Sequence, residues 1–216
     1  NRGIGGVYET DPFAAAVERA WDAGIVVVAA AGNDGLESGG LASPAHDPYV
    51  IAVAGADVAA DGITVADWSS SGDGVRNPDV AAPGAHLNSL RAPGSDADVN
   101  HPEGYVDDET FRGSGSSQAS AVAAGVAALI RQAHPEWSPD QVKAAMAESA
   151  TPIAGATAER AGSGLIDAAA AAAVASPTGT QSFAPASFTE NIPRSAGIST
   201  IWNGTSWVGT SWVGTS

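Results

Sequence analysis

Residues 24–35 read GIVVVAAAGNDG, an apolar run that ends in a turn-forming sequence. Four consecutive β-branched residues followed by alanines predict a strand buried on both faces, as the strands of parallel sheets are. Ligands of open α/β sheets bind at this carboxyl end of the strands. Asn33 is therefore a candidate donor to a developing oxyanion. A simple strand-ending turn is the alternative, and the local residues alone favour it.

Helical and strand patterns alternate on both sides of this run. Phe13, Val17 and Trp21 are spaced four apart within residues 12–23, which predicts a helix that buries all three. Further strands are predicted at residues 49–56, 63–68 and 79–84, and helices at 118–133, 138 onward and 165–174. The helix at 118–133 is apolar almost all round and is predicted to be buried. Residues 88–115 are predicted to be an acidic loop.

This alternation predicts an α/β fold of three layers, with a mainly parallel sheet flanked by helices. Residues 1–175 form the predicted domain. Residues 176–216 are rich in Ser, Thr, Pro and Gly and end in Trp-Val-Gly-Thr-Ser repeats, which predicts a linker and a disordered tail.

Charge and composition exclude several classes of protein. The chain of 216 residues has 9 Lys and Arg against 24 Asp and Glu, a formal net charge of −15. Such a surface repels nucleic acid, so a nucleic-acid partner is not expected. No apolar run approaches the roughly 20 residues of a transmembrane helix. The absence of cysteine excludes disulfides and thiolate metal sites.

A second candidate site precedes the long apolar helix, where residues 113–119 read GSGSSQA. A serine on a Gly-flanked turn at a helix start exposes its hydroxyl, and the helix dipole there favours an oxyanion. The alternative is that Ser116 or Ser117 only caps the helix, and taken alone the segment favours capping.

Taken together and in order, these segments resemble the C-terminal two-thirds of the subtilisin-like serine protease (subtilase) domain. The opening NRGIGG is similar to that family's NxSLGG strand, and residues 24–35 to the strand before its oxyanion-hole Asn. The segments WSSSGDGVRNPDVAAPG, GSGSSQASAVAAGVAALI and GSGLIDAAAA resemble three later family motifs. The segments SLRAPGS, NHPEG and FRGSGSSQAS, followed by the Trp-Val-Gly-Thr-Ser repeats, are most similar to subtilases of actinobacteria.

The resemblance implies a serine endopeptidase and assigns roles by position. Ser117 matches the nucleophile and Asn33 the side-chain oxyanion donor. Asp79 matches a structural position. The substrate-binding positions are two short segments, Gly3, Ile4 and Gly5 on one side and Ala30, Ala31 and Gly32 on the other, with Ala42 near the pocket base. A polypeptide substrate and a secreted or cell-surface bacterial location are implied as well.

The sequence departs from the family pattern at a few positions near Ser117, and its main departure is the lack of a general base. Ser116 stands in place of Thr, Ala121 in place of Pro and Ala123 in place of Val, all mild changes, and Gln118 stands in place of Met. The family's catalytic Asp and His are expected upstream of Asn1, and the four histidines present are predicted to be surface side chains. A serine without a base is an unactivated alcohol. The fragment itself is therefore expected to be inactive, with a fold that is incomplete at its N-terminus.

Two other functions remain open at this point. One is an inactive subtilase-like module that binds extended peptides, and the other is a surface protein whose Trp repeats contact a cell wall. No cofactor is needed for the chemistry and no metal-binding residues are assigned. Subtilases often bind structural calcium, and the acidic loop offers carboxylates, yet its spacing favours a solvated face.

Overall fold

Four strands form the main sheet of the computed structural model, which describes Tyr8–Thr178. They are β1 (Val28–Ala30), β2 (Ile51–Ala59), β3 (Gly62–Val65) and β4 (Val80–Pro83). β2 lies at the centre, because its Val53 pairs in parallel with β1 on one side and with β4 on the other. β3 runs antiparallel to the end of β2, along the same edge as β1. The predicted α/β fold with a mainly parallel sheet is confirmed.

Six α-helices lie within the described range of residues. They are α1 (Pro12–Asp22), α2 (Asp96–Asn100), α3 (Ser116–Ala133), α4 (Pro139–Ser149), α5 (Ala158–Ala161) and α6 (Ala168–Ala173). α4 begins with the predicted capping box between Ser138 and Gln141, and α6 is capped by Asp167. The main core lies between α3, α4 and the sheet, where Ile51, Ile130 and Met146 are fully buried. No helix in the described range is long and apolar enough to cross a bilayer.

The buried face of α1 differs from the prediction at one residue. Val17 and Trp21 are buried, whereas Phe13 is 54% exposed. In a helix of 3.6 residues per turn, a spacing of eight residues rotates Phe13 about 80° away from Trp21. Ala14 takes the inward position instead.

Two elements are less buried than predicted. β1 spans three residues, and only its central Ala29 is buried. α3 buries one face, while Val122 and Leu129 on its other face are exposed. The prediction that both elements are buried all round was wrong for Tyr8–Thr178, because these residues cover only one side of each.

The predicted loop at residues 88–115 contains regular structure. β5 (Leu87–Leu90) pairs antiparallel with β6 (Thr110–Gly113), and α2 lies between them. Arg91 holds this segment together, since its guanidinium binds both carboxylate oxygens of Asp98 at 2.5 and 3.0 Å and lies over the Tyr105 ring. These side-chain contacts join residues far enough apart that local turn signals alone did not predict them.

A buried charge cluster ties the sheet to α4. The Asp79 carboxylate accepts hydrogen bonds from the Ala52 N–H at 2.7 Å and from the Arg76 guanidinium at 2.9 and 3.0 Å. The Lys143 ammonium lies 3.0 Å from the same carboxylate. Burial favours the neutral acid, but the Lys143 and Arg76 cations outweigh it and hold the pKa of Asp79 below its ordinary value. Asp79 thus has a structural position, as the resemblance implied.

Asp47 is a second buried carboxylate, with the opposite behaviour. Its side chain is fully buried, Oδ1 accepts the Tyr49 N–H at 2.7 Å, and Oδ2 has no hydrogen-bond partner within the described residues. Burial raises the pKa of Asp47 from 3.8 to about 6, and the nearby Glu18 carboxylate adds to the effect. Between about pH 4 and pH 6 the Asp47 carboxyl is therefore protonated in the folded chain and ionised in the unfolded chain.

We expect Asp47→Asn to remove a pH-dependent loss of stability. Because the folded pKa is raised, the wild-type stability falls as the pH rises from about 4 to about 6, by an amount of about 1 to 3 kcal/mol. The neutral amide keeps the acceptor for Tyr49 and does not titrate. Urea unfolding between pH 4 and 8 should show that the free energy of unfolding depends less on pH in the variant than in wild type. Above pH 6 the variant should be the more stable of the two. A variant that is less stable than wild type at pH 8 would contradict this assignment.

Candidate active site

The end of β1 and the start of α3 meet at one place. The backbone leaves β1 through Gly32, whose φ of +114° suits glycine, and Asn33 follows. A Cβ atom at Gly32 would lie 2.6 Å from the Ser70 Oγ, so the close approach also requires glycine. Gly115, with φ +157°, precedes α3 and would crowd the Gln118 side chain if it carried a Cβ. Two glycines thus allow the junction between strand and helix.

Ser116 fixes the orientation of the Asn33 amide. The Ser116 backbone nitrogen and Oγ both donate to the Asn33 Oδ1 at 2.8 Å, and the Gly32 N–H donates to the Ser116 hydroxyl at 3.2 Å. Ser116 is fully buried. Because two donors face Oδ1, the other end of the amide, Nδ2, must point away from Ser116. Sequence reasoning missed this role, since it treated Ser116 only as a mild departure or a helix cap.

Two unpartnered donors result from this arrangement. Within the described residues, neither the Asn33 Nδ2 nor the Ser117 N–H has a hydrogen-bond acceptor. The Ser117 N–H belongs to the first turn of the 18-residue α3, where backbone donors have no partner inside the helix and the dipole is positive. An amide and a backbone donor at one junction can stabilise a developing oxyanion.

The Ser117 hydroxyl is exposed in the first turn of α3. The N-cap position of α3 is Gly115, and no side chain caps the helix. The alternative that Ser116 or Ser117 caps the helix was therefore wrong. An exposed hydroxyl next to two free donors is a candidate nucleophile.

A general base for Ser117 is not found among Tyr8–Thr178. Each histidine interacts elsewhere: His46 with Asp11, His86 with Asp57, His101 with Glu103, and His134 with Trp137 and the Ala172 carbonyl. No group of three or more His, Asp or Glu side chains in this range could hold a metal ion. The suggested calcium site stays untested.

The predicted wall of the substrate pocket is partly described. Ala30 and Gly32 are half-buried and Ala31 is fully buried. Ala42 lies beside this wall: its N–H donates to the Ala31 carbonyl at 2.9 Å, and its Cβ would be 3.2 Å from a Cβ at Gly32. Gly3, Ile4 and Gly5 lie outside the described residues, as does most of the 176–216 segment.

Several known proteins that are similar to this chain are proteases. The sequence profile of the subtilase family matches residues 4–180. The serine protease AprX of Bacillus subtilis (strain 168) is 44% identical over 142 residues, which is 62% of this chain and 32% of AprX. A subtilisin of Bacillus pumilus is 34% identical over 154 residues, or 70% of this chain and 48% of that protein.

A solved protease structure is also similar to this chain. Fervidolysin from Fervidobacterium pennivorans, a keratinolytic enzyme related to subtilisin, matches 76% of this chain with a TM-score of 0.62 and 28% identity, and the match covers 24% of fervidolysin. The chain thus spans about a third of AprX and about half of the Bacillus pumilus subtilisin. With the family profile covering most of its length, the chain belongs to the subtilase family.

Proposed function

We propose that the protein containing this chain is a serine endopeptidase that cleaves peptide bonds through an acyl-enzyme on Ser117. The observation that supports it is the exposed Ser117 hydroxyl beside the free Asn33 Nδ2 and Ser117 N–H. The hydroxyl attacks the scissile carbonyl, its proton passes to a histidine supplied from outside the described residues, and the two donors bind the oxyanion. Relatives named as serine protease and subtilisin support the same chemistry.

The test uses the complete gene product that contains this chain. We expect Ser117→Ala to lower peptide hydrolysis by about 10⁴-fold or more, because no other group forms the acyl-enzyme. Labelling by a fluorophosphonate, which reacts with activated serines, should be absent in the Ser117→Ala variant. Ser120→Ala is the matched control, since Ser120 lies one turn further along α3 and its hydroxyl only donates to the Ser117 carbonyl. Equal hydrolysis by the Ser117→Ala variant and wild type would refute the proposal.

A second candidate is peptide binding without cleavage. It needs no base for Ser117, and none is found within Tyr8–Thr178. A complete protein that binds an extended peptide, does not cleave it and is not labelled by the fluorophosphonate would establish this function instead. Secretion or a cell-surface location, the actinobacterial type and a wall-binding role of the Trp repeats remain proposals from the resemblance and the sequence.

A further inference from the structure

Ser70 contacts the backbone on both sides of Asn33. Its N–H donates to the Gly32 carbonyl at 2.9 Å, and its hydroxyl accepts the Asp34 N–H at 3.1 Å. Ser70 is almost fully buried, and a Cβ atom at Gly32 would lie only 2.6 Å from its Oγ. The two peptide groups that flank Asn33 are therefore bound by one buried residue, which sets the position from which the Asn33 side chain projects.

The segment that carries Ser70 is itself fixed to the sheet. The Ala66 N–H donates to the Gly55 carbonyl at 3.0 Å, and the Ser69 hydroxyl accepts the Gly55 N–H at 3.0 Å. The Arg160 guanidinium donates to the carbonyls of Ala66 and Ser69. Because Gly55 lies in the central strand β2, these bonds give the turn after β1 a rigid support.

Ser114 has a corresponding place before α3. Its hydroxyl accepts the His86 N–H at 2.9 Å, and the next residue, Gly115, donates its N–H to the Gly84 carbonyl at 2.8 Å. Ser114 is buried, and a Cβ atom at Gly84 would lie 2.9 Å from the Gly115 carbonyl oxygen. The turn after β4 thus holds the residues from which the first turn of α3, with the Ser117 N–H, begins.

We propose that Ser70 and Ser114 are positioning residues, each for a different oxyanion donor. Ser70 positions the Asn33 amide, and Ser114 positions the Ser117 N–H. A donor that is held in place before the reaction needs no reorganisation when the charge develops, so misplacing it weakens the stabilisation even though the donor remains. The inference rests on the proposed function, because both donors belong to the same site.

The first test measures kinetics of the complete gene product on a peptide amide. We expect Ser70→Ala to lower kcat by about 3- to 30-fold, because small displacements of a catalytic group are costly, and to change KM by less than about twofold. Ser138→Ala is the matched control. Its hydroxyl also accepts a backbone N–H, that of Gln141, but at the start of α4. It should lower stability by a similar amount and leave kcat unchanged. Equal kcat in the Ser70→Ala variant and wild type would overturn the inference.

Combination with Asn33→Leu separates the two positioning roles. Once the amide is absent, Ser70→Ala should lower kcat by less than about twofold more, because no donor remains for Ser70 to position. Ser114→Ala acts through the other donor, so its loss of about 3- to 30-fold in kcat should persist in the Asn33→Leu background. A Ser70→Ala loss that is as large in Asn33→Leu as in wild type would overturn the inference. So would a Ser114→Ala loss that disappears there.

A second measurement does not depend on hydrolysis. The Asn33 side-chain amide gives an NMR signal that is identified by its loss in Asn33→Leu. We expect its order parameter to fall from about 0.8 to below about 0.6 in Ser70→Ala and to stay unchanged in Ser138→Ala. If the amide loses order in this way but wild type hydrolyses no peptide, the positioning role of Ser70 stands and the endopeptidase proposal fails. An order parameter that is unchanged in Ser70→Ala would overturn the inference.

Discussion

Asn33→Leu in the complete protease is expected to lower kcat by about 10²–10³-fold with little change in KM, a magnitude known for an oxyanion donor of subtilisin. Leucine has nearly the shape of asparagine but donates no hydrogen bond. Because the oxyanion exists only in the tetrahedral state, the loss should fall on turnover rather than on substrate binding. Steady-state kinetics on a peptide amide measure both constants.

The Ser116 variants show whether the amide has to be held in place. Ser116→Ala removes the hydroxyl that lies 2.8 Å from Oδ1 and keeps the N–H donor, so we expect a smaller loss of about 2- to 10-fold in kcat. Ser116→Thr keeps the hydroxyl and should retain activity. In the double variant with Asn33→Leu, the Ser116→Ala change should have no further effect on kcat. An Asn33→Leu variant whose kcat is unchanged and whose KM rises would contradict the role given to this amide.

Local patterns predicted the elements that carry the site. The β-branched run at residues 24–35 and the Gly-flanked serines at 113–119 each indicate how the chain turns, and the structure has a strand end and a helix start there. The observed ends of these elements differ from the predicted ends by a few residues, because backbone hydrogen bonding and residue propensity place the end of an element differently. The resemblance added the roles of Ser117 and Asn33, which physical reasoning on each segment alone did not favour.

Contacts between distant residues could not be predicted in this way. The Ser116 hydroxyl meets Asn33 across 83 residues, and Lys143 reaches the carbonyls of Pro48 and Val50 across more than 90. Periodicity shows that α3 is apolar all round but not which side the rest of the chain covers. Which side of α3 the other described residues cover depends on tertiary packing, and among them Val122 and Leu129 stay exposed.

The largest loss of stability is expected for Asp79→Ala, about 3 to 5 kcal/mol at pH 7, because it leaves the buried Lys143 ammonium and Arg76 guanidinium without their carboxylate. The Ala52 N–H loses its acceptor as well. Urea unfolding followed by Trp fluorescence measures the difference. Asp61→Ala, in the exposed turn between β2 and β3, is the control and should change stability by less than about 0.5 kcal/mol.

The pH dependence of this loss distinguishes an ionic role of Asp79 from simple packing. The folded pKa of Asp79 lies below its ordinary value of 3.8, so its stabilising effect is present above pH 3.8 and disappears as the pH falls through the folded pKa. The difference in the free energy of unfolding between wild type and Asp79→Ala should therefore become smaller below about pH 3.8. Asp47 titrates in the opposite sense and at higher pH, since its pKa is raised to about 6, so its effect falls outside the range below pH 3.8. A gap that stays constant from pH 7 to pH 3 would mean that Asp79 acts through its volume alone, and that the two cations are compensated by other groups.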